Sequence, residues 1–493
     1  MKTTSSVDSP LRIRPQSLLS ATFGFALLAA SIPANAATLY WNKTSSTLTW
    51  ASSNNANWAD SADATTGYVA WAAGSDAEIV TANALITLGG TAISVGNLTV
   101  RNGATFTGTT SYSTTVNISG TGGGEGGGGD FTLADIAGGG AKARIAFTAT
   151  TTGDGYNGTI TVNSFTEAFS GLVLGGTTKP ASPPATLGGT GVNTHVILNG
   201  GRLMLERGLA GTAATIGSLS GTGVIALEGL AAGSSGTRTL RVEQATDTTF
   251  SGVIGSTTTT QTSNVLALVK AGAGRLDITS TETSSYAGDT TVEGGKLYLA
   301  GTFGSTSAGG ANINQGNFII KTGATLGLSG TFNIGAAKAV TIEDGGTLDL
   351  SKGNATLDCI GSTVTSKGLV FGGNATLLAS VGADGSTLTF ADASMTGSAT
   401  GGDGSIQVKF TNTGAQIGGT YDLISFGGTT PGIALTAFAL AQESIDAGWA
   451  GDFTYGGDGN TLQFTVSAIP ESATTAALLA GLAVATVVLR RRR

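Results

Sequence analysis

The chain has 493 residues, of which 79 are glycine and 8 are proline, and only 11% are charged. Average usage is about 7% glycine and about 25% charged, so this chain lacks the charge that keeps a disordered segment solvated, and its glycines lack the strict period of collagen. A net charge of −7 disfavours a nucleic-acid partner, and a single cysteine with a single histidine excludes a disulfide framework and a Cys/His zinc site. What is in excess is Thr, Ser, Val, Ile and Leu interleaved with Gly and Asn, the chemistry of many short strands joined by tight turns.

The N-terminus carries Lys2, Arg12 and Arg14, then an apolar run from Leu18 to Ala30, then Ser31-Ile-Pro-Ala-Asn-Ala36. That order reads as a signal peptide over residues 1–36, with Ala34-Asn35-Ala36 as the small-x-small site and cleavage between Ala36 and Ala37. The apolar run is too short to cross a hydrocarbon core of ~30 Å as a permanent helix. Ile13 separates the two arginines, so the twin-arginine route is not indicated. Signal peptidase and the general export machinery are the expected partners at this end.

Residues 37–178 read as an N-terminal β region. Inside it, Gly120 to Gly140 is glycine-rich enough to read as a flexible loop. Lys179 to Pro184 holds three of the eight prolines and reads as a linker or wide loop before a second region, 185–467. Through these regions one pattern returns: an apolar strand, a glycine turn, then Leu-x-Leu. It appears as VILNGGRLML (Val196 to Leu205), LVKAGAGRLDI (Leu268 to Ile278), TVEGGKLYL (Thr291 to Leu299), FIIKTGATLGL (Phe318 to Leu328) and VTIEDGGTLDL (Val340 to Leu350), with LTVRNGATF (Leu98 to Phe106) as an earlier member. Alternation places Leu297 with Leu299, and Leu348 with Leu350, on one face of a strand, and the glycines supply the positive φ that a sharp corner needs. Turn glycines Gly272, Gly294, Gly323 and Gly345 are 22, 29 and 22 residues apart by subtraction. Repeats of roughly 20–30 residues mean stacked units that cannot bury an apolar face alone. The expected fold class is all-β, a right-handed parallel β-helix (solenoid), preceded by the signal peptide and followed by one C-terminal transmembrane helix.

Residues Leu268 to Gly301 resemble the autotransporter-associated β-strand repeat. Lys270, Gly272, Gly274, Leu276, Tyr286, Gly288, Thr291, Val292, Gly295, Leu297 and Leu299 carry the match, with Ser284-Ser285 in place of the more usual Asn-Thr. The opening, Tyr40-Trp41, Trp50, Asn57-Trp58, Trp71 and Gly74-Ser75-Asp76-Ala77, is similar to large exported proteins of this type. So is the close, Gly419 to Phe426 followed by Asn460 to Val466. The resemblance implies a passenger-like β-helical surface structure. It does not imply self-translocation, which needs a barrel of many alternating strands.

Four features of the sequence carry candidate chemistry. His195 alternates with apolar neighbours on a strand, so it reads as a surface or coil-stacking residue, and no G-x-S-x-G context accompanies it. Cys359 reads as a half-buried thiol. The close carboxylate pairs are Asp76/Glu78, Asp289/Glu293 and Glu343/Asp344; two positions apart on a strand, carboxyls share a face, near the ~5–9 Å separations of glycoside hydrolysis. They sit in or beside turns, where acidic residues solvate corners. Gly401-Gly-Asp-Gly404 and Gly456-Gly-Asp-Gly459 are single copies, whereas calcium-binding nonapeptide repeats require tandem ones. No catalytic residue, metal site or cofactor is expected.

The C-terminal segment, 469–493, runs Ile469-Pro470-Glu471-Ser472, then an uncharged stretch from Ala473 to Leu489, then Arg490, Arg491, Arg492 and Arg493. As a helix, 473–489 is about 26 Å long, at the short end of a spanning helix. Flanking arginines stay cytoplasmic, so the bulk of the chain is expected outside. The layout resembles the PEP-CTERM sorting signal, with Pro470 and Glu471 matching and Ser472 standing where the family has proline. That resemblance implies recognition by exosortase, a membrane-embedded cysteine-protease-like enzyme, and transient residence in the inner membrane before delivery to the cell surface, outer envelope or extracellular matrix. The expected function is a secreted structural or adhesive surface protein with extracellular polysaccharide as a partner. The alternative is a β-helical protein that binds or cleaves polysaccharide.

Overall fold

A computed structural model describes residues 37–469, apart from connecting segments 44–48, 52–55, 91, 102, 108–113, 119–121, 124–128, 136–142, 148–155, 157, 166–169, 176–185, 188–193, 206–211, 228–235, 256–263, 305–314, 361–365, 394 and 428–430. The expected signal peptide, the linker Lys179 to Pro184, the sorting motif from Pro470 and the spanning segment 473–489 therefore lie outside the described residues. Among those described, no helix is long and apolar enough to cross a membrane.

The described chain is nearly all β, and its strands pair in parallel with the strand one coil further on. Lys296–Phe303 lies beside Thr325–Gly335 in unbroken register, Leu297 opposite Leu326 and Phe303 opposite Phe332. Parallel pairing of this kind needs a crossover between partners, and here the crossover is the rest of the coil. One wall carries an inward row that runs Leu276, Leu297, Leu326, Leu348, Leu377, Val408 from coil to coil. A second carries Ile93, Val116, Ile145, Leu172, Leu203, Ile225, Ile254. A third carries Val292, Ile320, Ile342 and Phe371. All of these side chains are buried. The fold is a solenoid of stacked parallel sheets, as the repeat spacing predicts.

The register also dates the coils. From Leu276 to Leu297, Leu326 and Leu348 the steps are 21, 29 and 22 residues by subtraction, close to the spacing of the turn glycines. Gly272, Gly323 and Gly345 do adopt positive φ. In the remaining turn it is Gly295, not Gly294, that does so, at φ 58°.

Stacking runs through the stretch between the two regions read from composition. Gly158–Asn163 pairs with Thr194–Asn199 over six residues, and Gly171–Leu174 lies beside Arg202–Leu205. The glycine-rich stretch is not simply a loop either. Gly122–Gly123 pairs with Leu98 and Thr99, and Phe131–Leu133 forms a rung between Ala104–Thr107 and Gly158–Asn163 with Phe131 and Leu133 buried. Three residues of alternation are too few to stand out among so many glycines, yet two stacked neighbours are enough to hold them.

Both ends of the stack are closed by aromatic side chains. At the first coils Trp41, Trp50, Trp58 and Trp71 are all buried and pack with ring centroids 4.7–5.3 Å apart. At the other end parallel pairing stops: Thr461–Ala468 runs antiparallel to both Thr420–Ser425 and Ala450–Tyr455. Trp449 and Phe464 there cover Phe410, at 5.4 and 4.5 Å. An open coil presents unpaired backbone and a cross-section of apolar core, so each end needs such a cover.

Candidate functional site

Between Leu268 and Gly301 polar side chains as well as glycines sit at the corners of the stack. Lys270 stands in an inward row, opposite Val242 in the coil before and Val292 in the coil after. Its side chain is fully buried and turns toward the corner, where Nζ donates to the carbonyls of Ala271 at 2.9 Å, Gly272 at 3.0 Å and Gly294 at 2.9 Å. An ammonium has three protons to give, and all three are placed. Burial lowers Lys270 to about 8, opposed by the negative charges of Glu243 and Asp247. Tyr286 is also buried, its hydroxyl 2.7 Å from Thr290 Oγ1, and burial raises its ionisation well above the ordinary value. Lys270 thereby locks one coil to the next at a corner, while the Tyr286 bond stays within its own coil.

The three carboxylate pairs are each taken up locally. Asp76 Oδ1 accepts the Asn97 amide at 2.7 Å while Glu78 is paired with Arg101. Asp289 Oδ1 accepts the Asn317 amide at 2.7 Å, and Glu293 receives Arg241 Nη1 at 2.6 Å. Glu343 is paired with Lys321, and Asp344 accepts Asn374 Nδ2 at 3.3 Å. In every pair the two carboxyls face different partners, most of them one coil away, so they act as staples between coils. His195 is exposed on its strand, between Thr159 and Ser218 of the adjoining coils, with Nδ1 against Ser218 Oγ, a coil-stacking histidine as expected. Cys359 is more enclosed than the sequence implies; it stands opposite Ile334 and is buried, because the inward row of that coil runs through it. Asp458 of the second glycine-aspartate run closes an ordinary turn, accepting the Asn460 amide at 2.9 Å and the Thr461 hydroxyl at 3.0 Å. Among the described residues no group of three or more His, Cys, Asp and Glu is placed to hold a metal ion.

Of the residues expected to direct processing, Ala37 is described: it is exposed, and its carbonyl accepts the Asp76 amide at 3.1 Å. Ala36, Pro470, Glu471, Ser472 and Arg490 to Arg493 lie outside the described residues. Ile469, just before the motif, packs against the core.

One surface feature escaped the sequence reading. Among the described strand residues between Ala92 and Thr413, Tyr298 is the one aromatic side chain on an outward position. It lies flat along the stack, over Gly327 of the next coil, and its hydroxyl donates to Asp349 Oδ2 of the coil beyond. A Cβ on Gly327 would stand 2.1 Å from the ring's Cδ1, so only glycine leaves room. Asp349 is buried and also accepts the Ser351 amide at 2.8 Å. Arg275 of the preceding coil reaches within 5.9 Å of the ring centroid and pairs with Asp277 at 3.0 Å. Burial, reinforced by the bond to Asp349, raises the Tyr298 phenol above its ordinary value. The available signal was Leu-Tyr-Leu followed one coil later by Leu-Gly-Leu, legible only once the 29-residue step between them is known.

No protein-family model matches the chain, and no curated protein is detectably similar to it.

Proposed function

We propose that this chain is an exported structural and adhesive protein of the cell surface or extracellular matrix. It leaves the cytoplasm by the signal peptide, is held in the inner membrane by a helix over 473–489 with Arg490 to Arg493 inside, and is sorted through Pro470 and Glu471 by an exosortase-type enzyme. The mature part is a right-handed parallel β-helix whose work is to be stiff and to present its outer faces, including to extracellular polysaccharide. The observation that carries this reading is the unbroken parallel stack between two aromatic covers, which repeats outward side chains in rows. The charged, apolar and small-x-small order of residues 1–36 supports the export step. The resemblance of residues 469–493 to a sorting signal supports the rest.

The test is made in the native host. Glu471→Gln is expected to leave unprocessed protein in the membrane fraction, while the wild type reaches the surface with its C-terminus shortened. Intact mass of the surface-exposed protein reads this directly. Equal release of both forms, or an intact Arg493 on surface-exposed wild type, ends the sorting proposal.

A further inference from the structure

We infer that the outward face around Tyr298 is a binding platform for an uncharged polysaccharide, with Tyr298 as the residue on which a sugar ring stacks. The inference rests on the adhesive reading above and gives it a partner. A sugar ring has one face of C–H groups and a rim of hydroxyls, so it is held by an aromatic face surrounded by donors and acceptors. That pairing of groups is what this face offers.

The ring is fixed before any ligand arrives. Gly327 below it removes the side chain that would tilt it, and Asp349 two coils away holds its hydroxyl. A ring ordered in advance loses little freedom on binding. One face of Tyr298 lies on the sheet, and the side chain remains partly exposed.

Beside it runs a second outward row, two residues earlier on each strand. Register places Arg275, Lys296, Thr325, Thr347, Thr376 and Gln407 in succession along the stack. Stacked strands are about 4.8 Å apart, so each coil offers one hydrogen-bonding side chain at a constant interval, as a linear polymer of hydroxylated units requires. From Lys296 onward these side chains are half-buried or exposed. The charges nearest the ring are of both signs, and Arg275 is already committed to Asp277 at 3.0 Å. A mixed, partly paired surface favours an uncharged polymer over an acidic one.

The experiment is affinity electrophoresis of the full-length chain in mild detergent, through native gels containing hydroxyethyl cellulose, dextran or, as the acidic control, alginate. Wild type is expected to be retarded by at least one of the two neutral polymers and no more by alginate than by an empty gel. Tyr298→Ala is expected to weaken retardation on the order of tenfold, the loss of a central stacking residue. Tyr298→Phe keeps the ring and the glycine beneath it and should retain most binding, which separates stacking from a merely structural part played by the hydroxyl. Circular dichroism of each variant checks that the stack is intact. Should Tyr298→Ala lose its fold, Lys296→Ala and Thr325→Ala, both on the outer face, are read instead and are each expected to weaken retardation. Undiminished binding by a folded Tyr298→Ala, retardation by alginate alone, or no retardation of wild type by either neutral polymer would overturn the platform. None of these outcomes touches processing at Glu471, which is read by location and mass.

Discussion

Gly327→Ala should destabilise the wild-type chain and stabilise a Tyr298→Ala chain. In a strand, replacing glycine by alanine ordinarily gains roughly 0.5–1 kcal/mol, because the unfolded chain has less freedom to lose. Gly327 does not have positive φ, so nothing in its backbone opposes that gain. What opposes it is the ring: the new methyl would stand 2.1 Å from Cδ1 and 2.2 Å from Cε1 of Tyr298. Overpacking of this kind costs about 1–3 kcal/mol, and swinging the ring away would also cost the bond to buried Asp349. The sum in the presence of the ring is a loss of about 1–2 kcal/mol, and in its absence a gain of about 0.5–1 kcal/mol. The double-mutant cycle then gives a coupling on the order of 2 kcal/mol between residues one coil apart. Stacked repeats open in parts, so the measurement should be local: hydrogen exchange of peptides covering residues 325–330, which converts to an opening free energy for that coil. A change of the same sign in both backgrounds refutes the account of why Gly327 is glycine.

Two further outcomes follow from the corner and the end of the stack. Lys270 is lowered from its ordinary 10.5 to about 8, so between those values the folded chain binds fewer protons than the unfolded one and stability rises with pH. Buried tyrosines act the other way above their ordinary 10.0. Thermal midpoints should therefore climb between pH 8 and 10 and fall beyond it, and Lys270→Met should flatten the climb; an identical profile in the variant would show that the lysine is not the titrating group. Trp50→Ala removes the ring that touches Trp58, Trp71 and Phe106, at a cost of about 3–5 kcal/mol. Because each coil packs chiefly on its neighbours, the added hydrogen exchange should be confined to the first coils; uniform loss of protection as far as Val408 would contradict a nearest-neighbour stack.

The parts of the fold visible in the sequence are those where one rule repeats. Leu297, Leu326 and Leu348 return on the same face at an interval set by turn glycines, and the interval alone implies stacking. Phe131 and Leu133 were hidden because a rung needs only three residues when both neighbours are already in place, so local alternation carried little signal there. The one-residue error at Gly294 has a similar origin: in a Gly-Gly pair either can take the corner, and which does so depends on the coil beneath, where Gly295 closes on the carbonyls of Gly272 and Gly274. Lys270 was visible as a motif residue, but its purpose was not, since the carbonyls it binds belong to two different coils. Tyr298 was missed for the same reason. Its meaning lies in Gly327 and Asp349, 29 and 51 residues away by subtraction, and a side chain reaching along the stack leaves no periodic trace in its own strand.

The geometry of such a stack bears on what the chain can do. Parallel stacking in register carries a given position to the next coil and sets its successors in a row about 4.8 Å apart. Asp76 and Glu78, Asp289 and Glu293, and Glu343 and Asp344 follow this rule, each spending its charge on another coil. The outer face around Tyr298 follows it too, with Thr325, Thr347 and Thr376 repeating one hydroxyl along the stack. Repetition of that kind suits a ligand that is itself repetitive, since each coil can meet the next unit of the polymer with the same group. Shortening the row by replacing Thr325, Thr347 and Thr376 together should therefore weaken polymer binding more than it weakens binding of a single sugar, whereas a conventional pocket would lose both alike.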